Sequence, residues 1–182
     1  MTLSTWHSRG YLPHWEAGEV AQSMTFRLAD SLPRIALERL HDDLKRMPEN
    51  DQTMKRRIRI EEALDQGRGS AMLSNPNIGE IVETALLHFD TQRYRLHAWC
   101  VMPNHVHLLA AFPDDEAMLK QCEDWKHWQA TQINRAIGGS NRFWQQDGFD
   151  HLIRSSEQFD HLRRYIANNP QKAHLPIGEF II

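Results

Sequence analysis

The 182-residue chain has only two cysteines, Cys100 and Cys122. They give no disulfide framework and lack the paired spacing of a zinc site. Both read as ordinary core or near-surface thiols of a reducing cytoplasm. No apolar run approaches the ~20 residues that a membrane-spanning helix needs, so no membrane segment is expected. The opening residues (Met1-Thr2-Leu3-Ser4-Thr5-Trp6-His7) lack a basic stretch followed by an apolar core, and no secretory signal is expected. An excess of positive charge is missing as well. With 21 Lys and Arg against 24 Asp and Glu, the net charge is −3, which by itself argues against nucleic-acid binding, since such domains are often basic. There is no internal repeat and no low-complexity tract. The remainder is ordinary for a globular chain, 41% hydrophobic and 25% charged, and its length suits one domain, residues 1–182, with a core of its own.

Residues 1–19 are rich in aromatics and turn formers and read as an irregular arm. Val20 to Leu28 alternates apolar residues (Val20, Met24, Phe26, Leu28) and predicts a first strand. Asp30-Ser31-Leu32-Pro33 supplies a helix start with Ser31 as N-cap, followed by Ile35, Leu37, Leu40, Leu44 and Met47 at helical spacing. Met47-Pro48 and Glu49-Asn50-Asp51 break that helix, and 53–65 predicts a short basic one. Gly67-Arg68-Gly69-Ser70 and Asn75-Pro76-Asn77 are turn chemistry. A helix is expected over 78–90, a strand over Tyr94 to Met102, a tight turn at Pro103-Asn104, and an antiparallel partner from His105 to Phe112. Asp114-Asp115 caps a long helix over 115–137 that Gly138-Gly139 ends. Phe143 to Arg154 reads as a strand broken at Asp147-Gly148, Glu157 to Asn168 as the last helix, and 171–182 as a tail. This order predicts an α+β fold with a central antiparallel sheet of split βαβ, ferredoxin- or RRM-like topology.

The chemistry centres on His105-Val106-His107. Side chains alternate across a strand, so both imidazoles point to one face. Neutral imidazole is the commonest metal ligand, and two on a rigid strand form half of a divalent-metal site. With 11 His in the chain, a His-x-His pair is expected about 0.7 times by chance, so two partly exposed strand histidines are the alternative reading. A second element narrows the choice. Arg163-Arg164-Tyr165-Ile166-Ala167-Asn168-Asn169-Pro170 places a tyrosine, and an amide four residues later, at the end of a helix.

Pro103-Asn104-His105-Val106-His107 followed by Tyr165-Ile166-Ala167-Asn168-Asn169-Pro170 resembles the single-tyrosine HUH transposases, where U is a hydrophobic residue. The arrangement is similar to their REP-associated tyrosine transposase branch over roughly residues 6–176, and the extra basic helical material at 45–75 favours that branch. The resemblance implies a sheet with helices on its back and a tyrosine helix lying across the metal face. It implies Tyr165 as nucleophile, and His105, His107 and Asn169 as ligands of Mg²⁺ or Mn²⁺. Two histidines under-fill such a site, and Tyr165 and Asn169, at i and i+4, share a helix face. Pro170 is expected to end the helix at Asn169; Asn168 is a weaker substitute ligand, and His161 lies one turn before Tyr165. The implied reaction is cleavage of single-stranded DNA carrying REP-type palindromic hairpins, through a 5′-phosphotyrosine linkage. A monomer is favoured over a helix-exchanging dimer, in a bacterial cytoplasm beside the nucleoid.

Candidate DNA contacts are the basic cluster Lys55, Arg56, Arg57 and Arg59, and the late group Arg154, Arg163, Arg164 and Lys172, because local patches neutralise phosphates whatever the net charge. Solvated helix faces are the alternative for both. Phe143 and Trp144 read as core before base-stacking platforms, and Trp125 and Trp128 as structural. Asp147, Asp150 and His151 are candidates for orienting ligands, and Asn104 reads as turn chemistry. Two other functions fit the same residues: a catalytically silent hairpin-binding domain, and a metal-dependent hydrolase that activates water.

Overall fold

Strand β3 (His105–Phe112) is buried along its whole length, so both of its faces must be covered. The computed structural model describes residues 20–67, 69–146 and 149–173. The expected arm at 1–19, the residues Arg68, Asp147 and Gly148, and the tail from 174 lie outside the described residues. So do the side chains of Asp150 and Lys172. The elements run β1 (Val20–Arg27), α1 (Arg34–Lys45), α2 (Glu49–Asp65), α3 (Pro76–His88), β2 (Arg95–Val101), β3, α4 (Asp115–Ile137), β4 (Phe149–Leu152) and α5 (Ser156–Lys172). The sheet order is β2-β3-β1-β4 with every pairing antiparallel, the α+β topology that the element order predicts.

Period-two alternation sorts the strand residues onto two faces. Val106, Leu108, Ala110 and Phe112 join Met24, Phe26 and Leu28 of β1 in the main core under α3 and α4. There Val82 and Leu86 meet Trp125, whose indole N–H donates to the Ala85 carbonyl. Phe143 and Trp144 are buried in this core, in agreement with the structural reading. Trp128 is not, being 43% exposed on α4. On the opposite face Leu109, Ala111, Ala21, Cys100 and Met102 pack against Phe159 and Ile166 of α5. His105 and His107 continue that second face, so the fold itself directs both imidazoles toward α5. A small separate cluster of Leu32, Ile60 and Leu64 docks α2.

The helix ends show where local signals held and where packing overrode them. Helix α4 keeps its expected limits: Asp114 accepts from the Ala117 N–H at 2.7 Å, and Gly138 ends it with φ 67°. Helix α1 starts at Arg34, not at Ser31, which is fully buried with its hydroxyl 3.4 Å from Arg27 Nη1. Occupied by that buried guanidinium, Ser31 does not cap. Helix α2 begins at Glu49 directly after Pro48, so Glu49-Asn50-Asp51 is its first turn and not a break. Helix α3 starts two residues early, capped by Asn75. Helix α5 runs through Pro170 to Lys172, with the Ala173 N–H closing on the Asn169 carbonyl at 3.0 Å. Proline 170 thus forfeits one helical hydrogen bond without ending the helix.

Gly69, just after α2, has φ +98°, and a methyl group there would overlap the Ser31 carbonyl. This close approach, with the Ser70 N–H donating to the Asp30 carbonyl, pins the end of the α1–α2 hairpin to the loop that follows β1. Gly69→Ala is expected to lower stability by about 2 kcal/mol or more, read as a lower urea midpoint with unchanged slope. An unchanged midpoint would show that this pin is not needed.

Candidate metal centre

The two imidazoles sit at the start of β3, where β1 pairs Thr25 with His107 and Arg27 with His105. His105 is 1% and His107 3% exposed. Their Nε2 atoms lie 2.9 Å apart, His105 Nδ1 is 2.6 Å from Asn104 Oδ1, and His107 Nδ1 is 3.0 Å from Thr25 Oγ1. These contacts fix the protons. The Asn104 amide donates its Nδ2 to the Leu64 carbonyl at 3.1 Å, so its oxygen faces His105 and must accept. His105 therefore carries its proton on Nδ1 and offers a bare Nε2. His107 then donates through Nε2, and its Nδ1 accepts from the Thr25 hydroxyl. Because that hydroxyl both donates and accepts, His107 is free to exchange tautomers and present a second bare Nε2 when a cation replaces the hydrogen bond.

Both rings are held neutral. Burial, with a smaller push from the neighbouring His107, keeps His105 well below the usual imidazole range. Burial and then the Arg57 charge push His107 down to about 3. Unprotonated imidazoles at neutral pH are what metal ligation requires.

Helix α5 brings Tyr165 over this pair, its ring edge-on to His107 with centroids 5.7 Å apart. The phenol is pushed up to about 12, chiefly by burial and then by the carboxylates of Asp65 and Glu61, while Arg57 and the Asn169 amide pull it back. Asn169, one turn on, is fully buried, and neither its Oδ1 nor its Nδ2 makes a well-formed hydrogen bond among the described residues. A buried amide in that state costs free energy unless something binds it. Asn168 and His161 are exposed.

Two neutral imidazoles, with a buried amide on the facing helix, fit a divalent cation. The 2.9 Å separation of the two Nε2 atoms matches the edge of roughly 3 Å expected between adjacent ligands at octahedral bond lengths. A mixed nitrogen and oxygen set suits Mn²⁺ at least as well as Mg²⁺.

Residues 73–169, just over half of the chain, match the family model described as "Transposase IS200 like". The chain belongs to this family. It is 31% identical over 81 residues to a REP-associated tyrosine transposase of Escherichia coli (strain K12), an alignment covering 43% of this chain and 46% of that relative. It thus spans under half of the relative's length. A solved structure of a REP-associated tyrosine transposase bound to a REP hairpin has a TM-score of 0.53 at 18% identity, over 92% of this chain and 73% of that one, a likeness of fold.

Two contributions to the site of this IS200-like family member were not read from the sequence. Asn104, expected as turn chemistry, also orients His105 and ties it to the end of α2. Asp65, the last residue of α2, brings Oδ1 to 3.8 Å from His105 Nε2, and its carboxylate and the two imidazoles offer donor atoms all within 4.8 Å of one another. Nothing in the local pattern of a basic helix marks such an acid, since the contact spans forty positions of chain.

The expected basic residues are dispersed. Arg57, half-buried, pairs with Glu61 at 3.1 Å beside the site, whereas Arg59 turns away to Asp43 at 3.0 Å. Lys55 and Arg56 are exposed on α2, and Arg154, Arg163 and Arg164 are exposed on or just before α5. Arg163 and Arg164 border a cleft with His97 and Trp99 of β2. His151 is exposed and bonded to Gln158.

The histidine environment predicts a pH dependence. Unfolding restores an ordinary imidazole that binds a proton below about 6.5, whereas the folded rings stay neutral to much lower pH. Stability therefore falls as pH drops from about 6.5 toward 4, by up to ~1.4 kcal/mol per pH unit for each such histidine. Urea titrations of His107→Gln are expected to show a slope shallower by about one histidine. An unchanged slope would contradict the neutral, buried state of His107.

Proposed function

We propose that this chain is a metal-dependent single-stranded DNA endonuclease and strand transferase that recognises REP-type palindromic hairpins and cleaves through Tyr165. The observation that supports it most is the meeting, within one chain, of the Tyr165 ring with the His105–His107 pair, with Asn169 on the same helix face. The E. coli relative and the hairpin-bound neighbour of the same fold support the substrate class. Assembly of the site from one chain supports a monomer, and the family's chemistry supports a place in the bacterial cytoplasm beside the nucleoid.

His105, His107 and Asn169 would hold a divalent cation, Mg²⁺ or Mn²⁺. When bound, it supplies Lewis-acid polarisation of the scissile phosphate and stabilises the charge that develops there. The chain's own residues do the rest. Tyr165 Oη attacks phosphorus, losing its proton to water, and the bond to the 3′ oxygen breaks as that oxygen takes a proton from water. The products are a 5′-phosphotyrosine ester and a free 3′-hydroxyl, and the ester conserves the bond for rejoining without ATP. A phenol raised to about 12, chiefly by burial, is a poor nucleophile at neutral pH, so the step calls for nearby positive charge. Arg57, close enough to lower both Tyr165 and His107, is the cation best placed to favour the phenolate. Lys55 and Arg56 with Arg154, Arg163, Arg164 and Lys172 would hold the backbone of hairpin and flank. Arg59, engaged with Asp43, is the weakest of these contacts.

The raised phenol favours one other reading, a hairpin-binding domain that no longer cleaves. The test is a denaturing gel of the protein with labelled single-stranded hairpin DNA and Mn²⁺. A covalent protein–DNA band is expected, abolished by Tyr165→Phe and reduced at least a hundredfold by His105→Ala. Hairpin binding without any such band would establish the silent domain. Cleavage that survives Tyr165→Phe and leaves free 5′-phosphate ends would establish a hydrolase using water.

A further inference from the structure

The geometry points to Asp65 as a fourth protein ligand of the cation, an anionic one that the α1–α2 hairpin delivers to the histidine pair. This inference rests on the metal site just proposed and extends it beyond the two imidazoles and the amide.

Position is the first support. Asp65 Oδ1 stands 3.8 Å from the same Nε2 that His105 leaves bare. The carboxylate therefore faces the metal-binding edge of the imidazole and not the Nδ1 edge, where an orienting acid would sit. A separation of 3.8 Å is too long for a hydrogen bond yet falls within the spread of ligand pairs in an octahedral shell, which runs from roughly 3 Å for adjacent ligands to roughly 4.2 Å for opposite ones.

Fixation is the second. The preceding residue, Leu64, is 1% exposed within the small cluster that docks α2. Its carbonyl accepts from Asn104 Nδ2, and the Oδ1 of that amide holds His105 Nδ1. One side chain thus sets the orientation of the imidazole and the height of the helix end that carries the acid. Just beyond, the strained Gly69 and its contact with Ser31 hold the exit from α2. These contacts hold the stretch of backbone that carries the carboxylate.

Chemistry is the third. Two imidazoles and an amide are all neutral, and a divalent cation in a largely buried site is better stabilised by one anionic oxygen among its ligands. Asp65 also lies outside the family-matched stretch, residues 73–169. The helical hairpin that reads as a basic insertion would then be part of the metal centre, and cation binding would tie the end of α2 to β3.

Isothermal titration of the full chain with MnCl₂, without DNA, tests this directly. Asp65→Asn is expected to weaken Mn²⁺ binding at least tenfold while leaving hairpin binding in EDTA within twofold of wild type. His105→Ala, the reference for the site, is expected to weaken Mn²⁺ at least as much. Asp65→Cys separates ligation from a structural effect. It should lose Mn²⁺ affinity and gain affinity for Cd²⁺, with a thiolate-to-cadmium charge-transfer band in the ultraviolet that the wild-type chain, with Cys100 and Cys122, does not show. Asp65→Asn binding Mn²⁺ within twofold of wild type while His105→Ala loses it would overturn the role of Asp65 and leave the histidine site standing. Mn²⁺ binding unaffected by either change would overturn the metal centre as a whole.

Discussion

Two imidazoles whose Nε2 atoms are 2.9 Å apart inside a strand buried on both faces coexist only as neutral rings with one proton shared between them. Protonating either would place a cation in a dry interior against its neighbour. Much of the surrounding structure serves that constraint. Asn104 and Thr25 satisfy the outer nitrogens, α3 and α4 cover the back of the sheet, and α5 and the end of α2 close the front. The two Nε2 atoms satisfy each other through that shared proton, and a divalent cation is the ligand that would replace it.

The same layering explains how a tyrosine far along the chain comes to the histidines. The split βαβ order sets β3 beside β1 in the middle of the sheet, and α5 crosses the face opposite α3 and α4. Phe159 and Ile166 anchor it against Cys100, Met102 and Leu109, which leaves Tyr165 and Asn169 directed toward the start of β3. Continuation of α5 through Pro170 keeps Asn169 helical and on that face. A helix broken there would have released the amide.

Strand and helix identities were legible because they rest on local periodicity. The alternation in β3, and the Asp114 cap and Gly138 stop of α4, are read directly from neighbouring residues. The meeting of Tyr165 with the two histidines was legible because their spacing resembles that of a known family. Asp65 and the second role of Asn104 were not, since each depends on a contact between segments forty positions apart. Ser31 misled for a related reason: a hydroxyl that looks like a cap in sequence is taken by a buried arginine of β1. The polar face of β1, with Ser23, Thr25 and Arg27 all buried, likewise looks solvent-exposed by pattern, yet it belongs to the face that α5 packs on.

The central claim is that the histidine pair forms a cation site beneath the tyrosine helix. Anomalous diffraction at the manganese edge, from crystals of the chain grown with MnCl₂, tests it most directly. The account predicts one dominant peak within about 2.3 Å of both His105 Nε2 and His107 Nε2, on the side of the sheet facing Tyr165. No peak between the two rings, with their mutual hydrogen bond intact at saturating Mn²⁺, would contradict it.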